Sequence, residues 1–143
     1  MSVTKITFLI LNYNSKFWLK KCLSSIQEFS NPPSRTDYKT VVVDNGSDDD
    51  SVSMVKKDFK WVELIELEKN LGYSAGNNLF LKEIDSEYVM LLNSDTEFTH
   101  GTKVEHLLDM MEDKTQAAVV TPQVNLPNGK LDWACHRGET TAA

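Results

Sequence analysis

The chain is poor in residues that make covalent or metal cross-links. It holds two cysteines in 143 residues, Cys22 and Cys135, and their separation fits no zinc-ligand spacing. Neither a disulfide framework nor a structural zinc is expected. Cys135 and His136 adjoin, but adjacency in sequence does not make a nucleophile–base pair. Long apolar runs are also missing. Nothing approaches the roughly 20 residues of a membrane-spanning helix. The first apolar run, 6–11, is cut off by Asn12, so no signal peptide is read and a cytoplasmic protein is expected. Positive charge is scarce: 15 Lys and Arg against 21 Asp and Glu leave a net charge of -6, which weighs against a nucleic-acid binder. Neither G-x-G-x-x-G nor G-x-x-x-x-G-K-[ST] occurs, so a phosphate would be held by something other than a glycine cradle. Paired acids do not follow the first strand, which weighs against a phosphate-accepting receiver domain. A glycine-rich basic loop is missing there too, which weighs against a nucleotidyltransferase that forms sugar nucleotides.

What is present is an ordinary globular composition, 41% apolar and 25% charged, with enough length for one domain with a real core. No repeat, linker or low-complexity segment divides it, and residues 1–143 are read as a single domain. Residues 5–11 form a short apolar run rich in β-branched side chains, a strand. Ser15 is then a candidate N-cap for a helix with Leu19, Cys22, Leu23 and Ile26 on one face, extended by Phe29 and stopped at Asn31-Pro32-Pro33. Cys22 on that face reads as a buried small hydrophobe. A second strand covers 38–43. Ser47 or Asp48 would cap the next helix, which carries Val52, Val55 and Phe59. The acidic run Asp48-Asp49-Asp50 is read as a helix-start feature and not a metal cluster. Asn45-Gly46-Ser47 matches a glycosylation triplet but is read as a turn.

A third strand is expected over 61–67, then a helix with Leu79, Phe80 and Ile84 whose start packs closely on the sheet at Ala75 and Gly76. The fourth strand, 88–92, is continuously apolar, as in a strand covered on both faces. A strongly amphipathic helix opens at Thr99 or Gly101 with Val104, Leu107, Leu108 and Met111 on one face. A fifth strand over 117–120 and a hairpin over 123–133 around Pro127-Asn128-Gly129 follow. Strand–helix alternation of this kind implies a mostly parallel sheet flanked by helices and built of right-handed crossovers.

Polar residues follow the expected strands: Asn12 and Tyr13 after the first, Asp44 after the second, Asn70 to Asn78 after the third, and Asn93, Ser94 and Asp95 after the fourth. Open α/β sheets bind ligands at the carboxyl ends of their strands. Asn93 and Asp95 are two apart, so they share a direction if the extended conformation persists. Asp95 is a carboxylate suited to a hard divalent cation, and such a cation to a diphosphate. Gly72 permits an unusual backbone angle or close approach of a ligand.

This combination resembles glycosyltransferase family 2, whose nucleotide-sugar-binding half has the GT-A fold. The resemblance rests on Ile10-Leu11-Asn12-Tyr13-Asn14, Val42-Val43-Asp44-Asn45-Gly46-Ser47, Asn70 to Asn78 and Leu91-Leu92-Asn93-Ser94-Asp95-Thr96, in the family's order and over most of the chain. The third piece is most similar to rhamnosyltransferase-type members, which use a dTDP- or UDP-linked sugar. The resemblance implies a GT-A-like α/β three-layer sandwich, C-terminally truncated, with the acceptor-side half missing. It implies an inverting, metal-assisted transfer of a sugar from a nucleotide-diphospho-sugar to an acceptor hydroxyl, saccharide or lipid-linked, at the inner face of a membrane. Asn12 and Tyr13 would line the base pocket, and Asp44 would accept hydrogen bonds from base or ribose. Gly72 would admit the nucleotide, and Asn78 would face the donor, whereas Asn77 reads equally as a helix cap. Asn93, Ser94 and Asp95 would bind the nucleotide-sugar, with Asp95 holding Mg²⁺ or Mn²⁺. Asn93 stands where the family's Asp-Xaa-Asp-like motif has its first aspartate, leaving one charge fewer on the metal. The family's general base lies further along the chain. Asp132 is not assigned to that role, and Arg137 reads as a surface residue. The alternative is a nucleotide-sugar-binding module without catalysis.

Overall fold

A computed structural model describes residues 4–29, 38–114 and 116–133. Cys135, His136, Arg137 and the stop at Asn31-Pro32-Pro33 lie outside them. The chain forms two compact units, Met1–Thr102 and Lys103–Ala143.

The first unit is a strand–helix alternation: β1 (Ile6–Asn12), α1 (Lys16–Phe29), β2 (Tyr38–Asp44), α2 (Ser51–Asp58), β3 (Glu63–Glu66), α3 (Tyr73–Leu81) and β4 (Tyr88–Asn93). The strands pair in parallel in the order β3-β2-β1-β4. From β1 the chain steps outward through β2 to β3, then returns to the other side of β1. Right-handed crossovers therefore put α1 and α2 on one face and α3 on the other, which makes three layers. The β1–β4 boundary is the point where the direction of winding reverses, the usual ligand crevice of an open α/β sheet.

Alternation along each strand feeds both cores. Leu9, Val41 and Val43 point to one face, where Leu11, Ile65, Leu67, Phe80, Leu81, Ile84 and Val89 pack on them. Ile6, Phe8, Ile10 and Val42, of opposite parity, are buried as well, as are Leu19, Cys22, Leu23 and Ile26 on the apolar stripe of α1. Truncating any of these large aliphatics to alanine leaves a cavity worth about 2–5 kcal/mol.

Two expectations are shortened. β3 covers Glu63–Glu66 only, because it is an edge strand and β2 offers it partners only from Val41 to Asp44. Trp61 lies outside it and is exposed. α3 ends at Leu81, although Ile84 still packs on the sheet.

The second unit contains α4 (Val104–Asp113). The strand expected over 117–120 does not form: those residues pair with no other strand among the described residues, and Val119 is 83% exposed. An apolar run becomes a strand only where a neighbouring edge takes up its N–H and C=O groups. The expected hairpin reduces to one antiparallel bridge, Asn125 to Leu131, closed by a turn in which Gly129 N donates to Leu126 O at 2.8 Å.

Candidate functional site

Parallel register aligns the strand ends. Asn12 sits beside Asp44, Asp44 beside Glu66, and Leu11 beside Asn93. β2 and β4 thus flank β1, and the residues after them share one rim of the sheet, about two strand spacings, ~10 Å, apart.

At the β1–β2 part of the rim the polar side chains turn inward. Asn12 is 0% exposed and Asp44 is 2% exposed. Asn12 Nδ2 donates to Asp44 Oδ2 at 2.8 Å and to Ser47 Oγ at 3.2 Å. Ser47 N donates to Asp44 Oδ1 at 2.8 Å, which closes a tight turn after β2. Asn12 therefore does not line a base pocket with its own side chain, as the sequence led us to expect. It supports Asp44 from beneath. Asp44 Oδ2 accepts Asn12 Nδ2 and Oδ1 accepts Ser47 N, and a carboxylate oxygen can accept two bonds, so acceptor capacity remains. Tyr13, next in the chain, is half exposed on the rim.

The loops after β1 and β2 are latched together. Asn14, held at φ 48°, accepts Asp48 N on its Oδ1 at 2.9 Å, and its own N donates to Ser47 Oγ at 2.9 Å. Neither Ser47 nor Asp48 caps α2. Asp50 occupies the cap position but makes no side-chain capping bond, its carboxylate pairing with Lys16 Nζ at 3.4 Å, and Asp49 does the local work. Asp49 Oδ1 accepts from the N and Oγ of Ser51, and its Oδ2 accepts Lys16 N at 2.7 Å. Partial burial pushes the Asp49 carboxyl upward, but the Ser51 and Lys16 hydrogen bonds outweigh it and hold the group below the usual carboxylate range.

Asn45, read from the sequence as a turn residue, and Asn70, read only as the start of a polar stretch, join the β3–α3 loop to this assembly. Asn45 Nδ2 donates to Asn70 Oδ1 at 3.0 Å, Leu71 N donates to Asn45 Oδ1 at 2.9 Å, and Gly72 N donates to Asn70 Oδ1 at 2.8 Å. The signal available was their place directly after a strand and before Gly72. Gly72 starts α3 with φ 82°, a conformation that favours glycine, and a Cβ there would meet nothing within 4 Å. Its face is thus open to a ligand. A Cβ on Gly76 would lie 2.7 Å from Leu11 Cδ1, which is the close helix–sheet packing expected. Asn77 is buried and bonds back to Tyr73 O at 2.9 Å inside α3, so it is no cap, while Asn78 is exposed.

At the end of β4 the extended conformation stops at Asn93. Thr96 N and Thr96 Oγ1 both donate to Asn93 O, at 3.2 and 2.8 Å, and fold 93–96 into a turn. The alternation expected to align Asn93 with Asp95 is therefore replaced by this turn. It leaves both of them exposed and Ser94 half-buried, with Ser94 Oγ 2.8 Å from Ser15 Oγ. Beneath the turn lies Cys22, whose thiol is pushed up to about 11 by burial, as befits an inert core residue. A groove of about 600 Å³ runs along α1 beside Phe17, Lys21, Ser25, Glu97 and Phe98, away from these rim residues.

Among the described residues, no cluster of three or more His, Cys, Asp or Glu side chains could hold a metal alone. Asp95 offers one exposed carboxylate. That donor set does fit Mg²⁺ or Mn²⁺ of the kind bound by one or two carboxylates, waters and substrate phosphates.

Residues 7–141 match the family model described as Glycosyl transferase family 2. The chain is 31% identical over 100 residues to the teichoic acid poly(glycerol phosphate) polymerase of Staphylococcus epidermidis, covering 66% of this chain and 13% of that one. Its backbone is similar to the crystal structure of S. aureus TarS 1–349 in complex with UDP-GlcNAc, with TM-score 0.65, 22% identity, and 87% and 41% of the two chains covered. It is also similar to the mannosyltransferase PcManGT from Pyrobaculum calidifontis in complex with GDP-Man and Mn²⁺, with TM-score 0.68, 21% identity, and 80% and 34% covered. The chain thus spans less than half the length of each of these proteins. The fold they share with it is the GT-A-like sandwich expected from the sequence.

Proposed function

This chain belongs to glycosyl transferase family 2, and from that premise we propose that it is the donor-binding part of an inverting hexosyltransferase that uses a nucleotide-diphospho-sugar. The observation that carries the reading is that β2 and β4 flank β1 and end at one rim, with Asp44 the last residue of β2 and Asp95 in the turn two residues after β4. Asp44, backed by Asn12, accepts from the base or ribose, and the exposed ring of Tyr13 covers the base. Gly72, with its open face, and Asn78 border the donor on the α3 side. Asn93, Ser94 and Asp95 face the diphosphate.

A divalent cation held by Asp95 would offset the negative charge that grows on the nucleoside diphosphate as it leaves. The chain's own part is to orient the donor so that an acceptor hydroxyl, saccharide or lipid-linked, reaches the anomeric carbon from the opposite side. No residue is assigned as the base that takes the hydroxyl proton. The name of one relative, a teichoic acid polymerase, supports a polymer acceptor; a lipid-linked acceptor and work at the inner face of a membrane belong to the proposal alone. No helix among the described residues is long and apolar enough to cross one.

The test is calorimetric titration of the chain with UDP- and dTDP-sugars, a rhamnosyl donor among them, with and without Mn²⁺. Metal-dependent binding that Asp95→Ala abolishes is the expected result. Binding that ignores both the metal and Asp95 would refute the cation's place. Release of free nucleoside diphosphate on adding an acceptor separates transfer from binding alone.

A further inference from the structure

Ser15 directly precedes α1, and its carbonyl accepts Leu19 N at 2.8 Å, the first bond of the helix. A serine in that position ordinarily turns its hydroxyl onto a free N–H of the first turn. Here the hydroxyl is diverted. It donates to Asn12 Oδ1 at 2.6 Å and lies 2.8 Å from Ser94 Oγ. Asp49 meets the helix start in its place, by accepting Lys16 N.

The direction of this chain of bonds follows from donor chemistry. A carboxylate acceptor at Asp44 turns the amide nitrogen of Asn12 toward it, so the amide oxygen faces Ser15. The single hydroxyl proton of Ser15 goes to that oxygen, so Ser94 must donate to Ser15. One line of hydrogen bonds then runs Ser94 to Ser15 to Asn12 to Asp44, with every donor pointing the same way. Bonds aligned in this way reinforce one another. The line crosses the β1–β4 boundary, where the sheet's winding reverses, and it begins at Ser94, one residue from Asp95.

We propose that Ser15 is a positioning residue that fixes the Ser94–Asp95 turn from the buried Asn12–Asp44 pair, so that the nucleoside and the metal-bound diphosphate of the donor bind cooperatively. This rests on the donor-binding reading above. Ser15 acts through Ser94 and is not required to touch the donor.

The experiment is titration of the chain with uridine and with UDP plus Mn²⁺. Ser15→Ala is expected to lower UDP–Mn²⁺ affinity about fivefold, the equivalent of one ordinary hydrogen bond, and to leave uridine affinity within about twofold. Ser15→Thr, which keeps the hydroxyl, restores the UDP–Mn²⁺ affinity, and Ser94→Ala reproduces the loss. In an Asp95→Ala background, Ser15→Ala has no further effect. Equal weakening of uridine and UDP, or no weakening of either, overturns the proposal. If Ser15→Ala loses its circular-dichroism signature, Ser15→Gly, which also lacks the hydroxyl and is tolerated ahead of a helix, decides the matter by the same criterion. A wild-type chain that binds neither uridine nor UDP refutes the donor-binding reading itself, a result distinct from failure of the coupling.

Discussion

Removing the Asp44 carboxylate is the sharpest test of how the rim is built. The group is buried and accepts Asn12 Nδ2 and Ser47 N, each at 2.8 Å. Hydrogen bonds to a charged group contribute about 1.5–3 kcal/mol each. Asp44→Ala also removes the shorter of the two bonds made by Asn12 Nδ2, leaving it Ser47 Oγ at 3.2 Å in a site that is 0% exposed. A loss of about 3–5 kcal/mol is expected, a large part of the roughly 5–15 kcal/mol that holds a domain of this size together. At about 4 °C per kcal/mol this lowers Tm by roughly 12–20 °C. Asp44→Asn keeps one acceptor but sets an N–H₂ against one of the two donors, and roughly half the loss is expected. Asn12→Ala should cost about as much as Asp44→Ala, and the double variant less than their sum by about 1.5–3 kcal/mol, the worth of the one bond the two residues share. Urea titration followed by circular dichroism measures all four proteins, with the slope against urea checked for constancy. A loss below about 1 kcal/mol for Asp44→Ala, or strict additivity with Asn12→Ala, would refute this account of the rim. UDP titration of Asp44→Asn, at a temperature where it is folded, then reads the ligand-contacting role separately.

The other outcomes are simpler. Asp95→Ala, at an exposed turn, should change stability by less than about 0.5 kcal/mol in the same titration while abolishing the Mn²⁺ dependence of UDP binding. Gly72→Ala and Gly46→Ala both strain a positive φ, 82° and 79°, at a cost of about 1 kcal/mol. Gly46→Ala should cost at least twice that, because its Cβ would lie 2.7 Å from Lys69 Cα, a backbone atom that cannot step aside. Thermal melts of the pair give the ranking, and equal losses would refute it. The Asp49 carboxyl has a folded pKa below its unfolded value. The stability it contributes is therefore complete above the ordinary aspartate value of about 3.9 and is lost as pH falls through the lower folded value. Asp49→Asn should reduce the drop in urea midpoint between pH 6 and pH 3, and an unchanged drop would sink the assignment.

The order of elements was legible because it depends on local patterning. Period-two and continuous apolar runs gave β1, β2 and β4, and the i, i+3, i+4, i+7 stripe gave α1 with its buried Cys22. Where such a run lacked a partner the same logic misled. Residues 117–120 look like a strand, yet strand formation is a property of a pair of edges and not of one segment. The site was legible as a set of polar residues after strands, but not in its division of labour. Asn12 reads as a ligand contact and is buried. Ser15 reads as a helix cap and bonds elsewhere, and Asn45, read as a turn residue, and Asn70, read within the polar stretch after the third strand, tie two loops together.

By itself, then, the sequence determined the strand–helix alternation and the polar character of the strand ends, since both depend on spacings of a few residues. The tertiary structure alone decided the order β3-β2-β1-β4, and with it which of those polar residues face inward. The reason is distance along the chain. The bond from Asn12 to Asp44 joins residues 32 apart, and that between Ser15 and Ser94 joins residues 79 apart. No local pattern encodes such partners, which meet only when parallel register brings their strand ends together.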